Sequence, residues 1–343
     1  MNEDYLFMQR ALELAQYGAG KVSPNPMVGC VIVHEGKIIG EGWHQRYGGP
    51  HAEVHAVEAV ADKEVLKEST VYVSLEPCSH TGKTPPCADL LIKHQIKRVV
   101  VCHTDPNELV AGKGIKKLQE AGIAVELGLL QKQGEWLNRR FNHYMTHKRP
   151  YVILKWAQTA DGFVARSNFD SKWISSPLSR QRVHQWRSEE DAILVGSQTV
   201  LHDNPQLTTR DWPGKNPIRV VLDRSGVLHS DFQVFYAEAP TLYYTSSEEA
   251  HTKHACETPL LKKEGFIEQV LADLYQRKIQ SVLVEGGSQM LQAFVSENCW
   301  NEARIFQSGT SFGEGLAAPV LRGKCVHQET ISTDTLSVLI NSR

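Results

Sequence analysis

No stretch of the 343 residues approaches the run of about 18 apolar residues that marks a membrane-crossing helix, and the mean hydropathy is −0.33. The start, MNEDYLFMQRALELAQ, is acidic and amphipathic. It has neither the basic opening nor the continuous apolar core of a secretory signal, so a cytoplasmic location is expected. An excess of one charge sign is also missing. Lys and Arg total 37 against 39 Asp and Glu, a formal net charge of −2. That excludes nucleic-acid binding driven by bulk charge and leaves room for a local phosphate pocket. Cysteine is sparse and odd in number, seven scattered along the chain. Such usage disfavours a disulfide scaffold and suits a reducing compartment, where Cys near His is worth reading as a metal site. There is no internal repeat and no low-complexity tract. What is present, 41% apolar and 22% charged residues, is ordinary for a globular protein, and the length corresponds to about two domains.

Both halves read as α/β. In the first, residues 3–18 place Leu6, Ala11, Leu12, Leu14 and Ala15 at helical spacing. MVGCVIVH, a turn at Glu35-Gly36 and KIIGEGWH then read as a hairpin. HAEVHAVEAVA reads as a helix, TVYVSLEP and KRVVVCHTDP as buried strands with polar tails, and GIKKLQEAGI as a helix. The segment HKRP (147–150) is the expected linker, since Pro150 stops the preceding helix. The domains are therefore placed at 1–146 and 147–343. In the second, strands PYVILKW, AILVG, NPIRVVLD, APTLYYTS and SVLVEGG alternate with helices at LSRQRVHQWRSEED, GFIEQVLADLYQRK and SQMLQAFVSE, and 331–340 reads as a last strand. Alternating strands and helices imply layered sheets with helices on their faces.

The strongest chemical signal is His51-Ala52-Glu53, followed by Pro77-Cys78 and Cys87. One imidazole and two thiolates make three zinc ligands, and a catalytic zinc site keeps a fourth position open. Glu53, two residues after the His, is placed to move protons beside the metal rather than to ligate it. Zinc makes water acidic enough to attack an amidine-like ring carbon near neutral pH. The H-x-E and P-C parts match the signature of zinc nucleobase deaminases, but eight residues rather than two separate the cysteines. Two other readings stand beside this one. The cysteines are ordinary small residues near strand ends, or the zinc is structural and closed by His80 or His44; a structural site gives no reason for Glu53. Asn25, in Ser23-Pro24-Asn25-Pro26, is either turn chemistry or an amide that reads a ring edge or ribose. His44 is a surface His or a substrate contact, and Lys83 a solvated loop Lys or a phosphate contact.

In the second half, strand VLVEGG runs into Gly286-Gly287 before Ser288 opens a helix. That arrangement lets backbone N–H groups approach a phosphate or is merely a turn, and it is not the G-x-G-x-x-G fingerprint. Glu285, facing that turn, suits a substrate hydroxyl. The run from Gln198 to Arg210 reads as a loop. Arg210 and Arg187 make a fork for a phosphomonoester or are solvated charges, and Arg224 and Ser225 offer a place for a 2′-phosphate.

With these residues in view, nearly the whole chain resembles the bacterial bifunctional riboflavin-biosynthesis deaminase/reductases (the RibD type). SPNPMVGCVIV, HAE, EPCSHTGKTPPC with its eight-residue gap, LKWAQTADG, WRSEEDAILVGSQTVLHDNPQLTTR and VEGGSQML all look like that family's stretches. The resemblance implies a cytidine-deaminase-like three-layer α/β/α domain followed by a dihydrofolate-reductase-like α/β domain. It implies zinc-dependent deamination of 2,5-diamino-6-ribosylamino-4(3H)-pyrimidinone 5′-phosphate, then NADPH-dependent reduction of the ribosyl group of 5-amino-6-(5-phosphoribosylamino)uracil to ribityl. One zinc per chain would be held by His51, Cys78 and Cys87, with Glu53 moving protons and Asn25, His44 and Lys83 meeting the first substrate. Ser171, Arg187, Leu207, Arg210 and Glu285 would bind the second substrate. Ala157, Trp173, Thr199, Asp203, Ser225, Gly287 and Ser288 would meet NADPH, with Lys155 and Asp203 beside the reacting sugar. The partners are then small pyrimidine ribonucleotides, without nucleic acid or membrane, and a homo-oligomer is expected. Retention of only one activity, or a non-catalytic zinc-stabilised nucleotide-binding protein, are the competing readings. One stretch departs from the family, FQSGTSFGEGLAAPVL (306–321), where a more compact Pro-Leu-Gly segment is usual.

Overall fold

The structure, a computed structural model, describes residues 3–80, 85–107, 111–172, 174–251 and 254–342. The chain divides into two compact units, Met1–Lys148 and Arg149–Arg343. Among the described residues no helix is long and apolar enough to cross a membrane.

The first unit runs α1 (Glu3–Gln16), β1 (Gly29–His34), β2 (Lys37–Trp43), α2 (Ala52–Ala59), β3 (Thr70–Val73), α3 (Cys87–Lys93), β4 (Arg98–Val101), α4 (Lys113–Glu120), β5 (Ala124–Leu127), α5 (Gln131–Leu137) and α6 (Arg139–His147). Its sheet has the order β2-β1-β3-β4-β5, antiparallel around β1 and parallel from β3 to β5. Because side chains alternate across a strand, β1, β3 and β4 are apolar on both faces. Cys30, Ile32, Val71, Val73, Val99 and Val101 pack against Ala52, Ala56 and Val57 of α2, Ala88 and Leu91 of α3, and Leu118 of α4. Val31, Val33, Tyr72 and Val100 meet Met8, Ala11, Leu12 and Leu14 of α1 on the other side. The result is three layers. Two glycines set how closely α2 lies on the sheet: a Cβ on Gly42 would stand 2.5 Å from the Ala52 oxygen, and one on Gly40 would stand 2.3 Å from the Ala56 oxygen. The β2 sequence IIGEGW is thus a bed for the helix that carries His51 and Glu53.

The second unit comprises β6 (Tyr151–Gln158), β7 (Phe163–Ala165), α7 (Pro177–Glu189), β8 (Ala192–Gly196), α8 (Ser197–Asp203), β9 (Ile218–Leu222), β10 (Thr241–Tyr244), α9 (Glu248–His251), α10 (Phe266–Gln276), β11 (Ser281–Val284), α11 (Ser288–Ser296), β12 (Glu302–Gln307), β13 (Leu316–Ala317), β14 (Lys324–Ile331) and β15 (Asp334–Ile340). Its large sheet has the order β10-β9-β8-β11-β6-β12-β15-β14. The strands are parallel from β10 to β12, with β15 and β14 antiparallel at the edge. From β8 the chain moves outward through β9 to β10, then returns to set β11 between β8 and β6. Val270, Leu271, Leu274, Leu291 and Phe294 of α10 and α11 cover one face. Val183 and Trp186 of α7 and Val200 of α8 cover the other.

Two local expectations change, and the stretch that departs from the family finds its place. Residues 197–203 are helical rather than a loop; the following Asn204-Pro205 and the αL conformation of Asn204 end the helix. The last strand is the second half of a hairpin, β14–β15, turned by Ser332 at φ 57°. The departing stretch 306–321 is built into the unit: Leu316 and Ala317 pair with Ala165 and Phe163 of β7, and the Asp161 carboxylate accepts the N–H groups of Phe312 and Gly313.

Candidate functional site

In the first unit two helix N-termini and one strand end converge. His51 occupies the N-cap of α2 without a side-chain capping bond, so its ring is free for other work. Cys78 follows β3, and Cys87 opens α3 behind Pro86. The Cys87 N–H donates to Cys78 Sγ at 3.3 Å, and the Ala88 N–H donates to the Cys78 carbonyl at 3.1 Å. His51 Nδ1 lies 3.6 Å from Cys78 Sγ and 3.3 Å from Cys87 Sγ. Tetrahedral zinc, with Zn–N of about 2.05 Å and Zn–S of about 2.3 Å, separates N and S ligands by about 3.5 Å; the trio therefore fits zinc. Among the described residues neither His44 nor His80 joins these three. Hydrogen bonding from Cys87 pulls the Cys78 thiol down to about 4 against the effect of burial. Its partner Cys87 is pushed up, first by that same contact. The Cys78 sulfur thus sits where a helix N-terminus favours its ionised form.

Glu53 is in the first turn of α2 and only 3% exposed. Burial pushes its carboxyl up, the His51 charge opposing, and it meets the Cys87 thiol. A buried carboxyl so placed, with its proton affinity raised, is suited to take up and give back a proton. Asn25 and His44 stand together. His44 Nδ1 is 3.0 Å from the Pro50 carbonyl, which only accepts, so that nitrogen carries the hydrogen. Nε2 then accepts from Asn25 Nδ2 at 3.0 Å. Both ring nitrogens are occupied, burial lowers the ring's pKa, and the ring packs edge-on to His51 at 5.3 Å. The geometry thus gives His44 the work of orienting the Asn25 amide. Lys83 lies outside the described residues.

In the second unit the carboxyl ends of β6, β8, β9 and β11 open into a cavity of about 1370 Å³, the usual location for ligands in a parallel sheet. It is lined by Lys155, Ala157, Ser171, Arg187, Thr199, Asp203, Leu207, Arg210, Ser225, Glu285, Gly287 and Ser288, so the described candidates from distant stretches share one space. Trp173 lies outside the described residues. Glu285, one of the lining residues, has a buried, ion-paired side chain. Arg187 grips it through Nε at 2.8 Å and Nη2 at 3.0 Å, and Lys155 Nζ approaches at 3.5 Å. Burial alone would raise this carboxyl; the Arg187 and Lys155 charges outweigh it and hold it at about 2. Arg187 also donates to the Thr208 carbonyl at 3.2 Å, whereas Arg210 keeps an exposed guanidinium. The glycine pair divides its work. A Cβ on Gly286 would press on Met290 at 2.8 Å, while one on Gly287 would meet only Thr199 Oγ1 in ordinary contact at 3.6 Å; the Gly287 N–H donates to that same oxygen at 2.9 Å. Leu207 is buried at φ 57°, a conformation unusual for a side chain of its size.

Two contributors were not legible beforehand. His184 lies one turn before Arg187 on α7; its Nδ1 accepts the Arg210 N–H at 3.3 Å and its Nε2 is 3.2 Å from the Asp211 carboxylate. Burial, then the Arg187 and Arg210 charges, hold its pKa down to about 4. The i, i+3 spacing of His184 and Arg187 was the available signal. Leu316 and Ala317 form part of the cavity wall, and Ser288 Oγ donates to the Ala317 carbonyl at 2.6 Å.

A zinc trio beside a buried carboxylate in one α/β unit, and a cavity carrying ion-paired Arg187, Glu285 and Lys155 at parallel strand ends in another, define a two-domain enzyme. The profile described as the cytidine and deoxycytidylate deaminase zinc-binding region matches residues 1–103, and the one described as RibD C-terminal domain matches residues 150–337. The protein is thus a zinc-site deaminase joined to a reductase domain that takes a nicotinamide cofactor. The riboflavin biosynthesis protein RibD of Aquifex aeolicus is 42% identical over 92% of this chain and 89% of its own length; that of Escherichia coli is 39% identical over 89% and 87%. The crystal structure of a Thermotoga maritima diaminohydroxyphosphoribosylaminopyrimidine deaminase/5-amino-6-(5-phosphoribosylamino)uracil reductase superposes with a TM-score of 0.92 at 42% identity, covering 98% of each chain. The RibD of Acinetobacter baumannii gives 0.90 at 35%, covering 99% of each. The chain belongs to the RibD family, the bifunctional deaminase/reductases of riboflavin biosynthesis.

Proposed function

We propose that the first unit deaminates 2,5-diamino-6-ribosylamino-4(3H)-pyrimidinone 5′-phosphate, and that the second reduces 5-amino-6-(5-phosphoribosylamino)uracil with NADPH. The observation that carries the first half is the trio His51, Cys78 and Cys87 at zinc-ligand separations with Glu53 buried beside it. One zinc per chain, when bound there, supplies Lewis acidity toward the attacking water. Glu53 takes a proton from that water and returns it to the departing amine; its raised affinity for protons suits both directions. Asn25, oriented by His44, offers its amide oxygen to the ring or ribose, and Lys83 is assigned to the phosphate side.

In the second unit, Arg187, Arg210 and Ser171 hold the substrate phosphate, Arg187 with its direction fixed by Glu285. Leu207 and Glu285 shape the space for the sugar, with Lys155 and Asp203 beside the reacting carbon. Ala157, Trp173, Thr199, Ser225, Gly287 and Ser288 are assigned to NADPH, whose nicotinamide supplies the hydride. Arg224 and Ser225, both lining the cavity, support the 2′-phosphate form. A cytoplasmic location is proposed on seven cysteines that are all free thiols, the usage of a reducing compartment. The test is a coupled assay with the diaminopyrimidine phosphate, following ammonia release and NADPH loss separately. Both signals are expected, the second dependent on the first; ammonia release without NADPH loss on added uracil substrate would refute the reductase assignment.

A further inference from the structure

Glu76 ends the turn after β3, two residues before Cys78. It is 4% exposed, and its partners among the described residues are four backbone N–H groups. Oε1 accepts from Gly114 at 2.9 Å and Ile115 at 3.3 Å. Oε2 accepts from Gly112 at 2.9 Å and Asp105 at 3.3 Å. Gly112 is the N-cap of α4, so this carboxylate, reaching across from the turn after β3, does the work of a capping side chain at the positive end of the helix. The Glu76 N–H in turn donates to the His103 carbonyl at 3.0 Å. A second contact bears on the same turn. A Cβ on Gly114 would fall 1.9 Å from the Pro77 carbonyl oxygen, so α4 presses directly on the peptide that leads into Cys78. From the other side, Cys78 is held by the Cys87 and Ala88 N–H groups. The sulfur is thus fixed between the N-termini of two helices, one acting directly and the other through Glu76.

Resting on the zinc-deaminase reading, we propose that Glu76 is the positioning residue of the metal centre: it locks the Pro77–Cys78 turn against α4 and so sets where the Cys78 sulfur stands. It touches neither metal nor substrate. Groups that orient metal ligands from behind are worth roughly 10–100-fold in metal affinity or activity. Gln at this position keeps one acceptor oxygen but turns an NH2 group toward two N–H donors.

The test uses full-length protein carrying Glu76→Gln, with Zn²⁺ affinity measured by competition with a chromophoric chelator and thiolate-to-metal absorption recorded after Co²⁺ loading. Zn²⁺ affinity is expected to fall about 10–100-fold and the Co²⁺ band to shift, while NADPH oxidation on the uracil substrate stays at the wild-type rate and reports an intact second unit. Gly114→Ala, which pushes α4 off the same turn, is expected to reproduce the defect. The double variant is expected to be no weaker than the worse single variant, because both break one device. Wild-type affinity and an unshifted band in Glu76→Gln would overturn the proposal, as would multiplicative losses in the double variant. If the wild-type chain itself bound neither metal, the zinc reading would fail first and this inference with it.

Discussion

The two units solve the same problem, holding polar groups in a buried place, by opposite means. In the first, the chemistry is compressed into short motifs and the groups are held by backbone: helix N-termini address Cys78, and the carbonyl of Pro50 fixes His44. In the second, the groups come from strands and loops far apart in sequence and hold one another through charge. Arg187 and Glu285 are separated by 98 positions. A backbone-held site tolerates loss of its ligand with its geometry intact, whereas a charge-held site depends on every ionised member. This contrast makes the first site readable as a motif and the second readable only once folded.

The largest expected effect separates the units outright. Removal of zinc by a strong chelator is expected to abolish ammonia release and leave NADPH oxidation on the uracil substrate unchanged; parallel loss of both would break the division of labour. Next comes Glu53→Gln, which removes the proton carrier and keeps the ligands. Deamination is expected to fall about 10³-fold, within the range of general acid–base catalysis, with zinc content and reductase rate unaltered. Metal analysis beside the two assays checks it.

The third effect sharpens the charge-held side. The Glu285 carboxyl is held at about 2 in the folded protein against an ordinary 4.5. The depressed value means the folded state gains from ionisation: the stabilisation is complete above pH about 4.5 and is lost as pH falls toward 2. Roughly 2.5 pK units correspond to about 3 kcal/mol. Unfolding of the second unit by denaturant, wild type against Glu285→Gln, is expected to show a stability difference that shrinks across that window. A difference independent of pH would mean that Arg187 and Lys155 do not act on it as charges.

How much was visible in the sequence follows the same division. His51, Glu53, Cys78 and Cys87 were legible because metal chemistry admits few residue types, and the alternation of β1, β3 and β4 because burial on two faces leaves few polar positions. The state of His44 was not: only the fold brings the Pro50 carbonyl and Asn25 to its two nitrogens. Nor was the pairing of Arg187 with Glu285, since two charges in different motifs carry no mark of being neighbours. The stretch 197–203 looked like a loop because its polar residues favour turns as readily as a first helical turn. The wall formed by Leu316 and Ala317 has no local signal at all; it exists because β7 is there to pair with it.

The smallest effect tests whether backbone-held sites carry a stability cost at their helix ends. In the second unit α7 is capped conventionally: Ser176 Oγ accepts the Ser179 N–H at 3.3 Å and Pro177 follows at the first helical position. Ser176→Ala is expected to lower the stability of that unit by about 1 kcal/mol without altering metal content. In the first unit the corresponding position of α2 is His51, which makes no side-chain capping bond, because its ring is turned to the two sulfurs. Replacing it by a good capping residue, His51→Ser, is therefore expected to raise the stability of the metal-free first unit by up to about 1 kcal/mol while destroying zinc binding. Thermal unfolding of chelator-treated protein measures the first and zinc analysis the second. If metal-free His51→Ser is less stable than the metal-free wild type, the ring contributes packing that outweighs the missing cap, and the open helix end is not a concession to the metal.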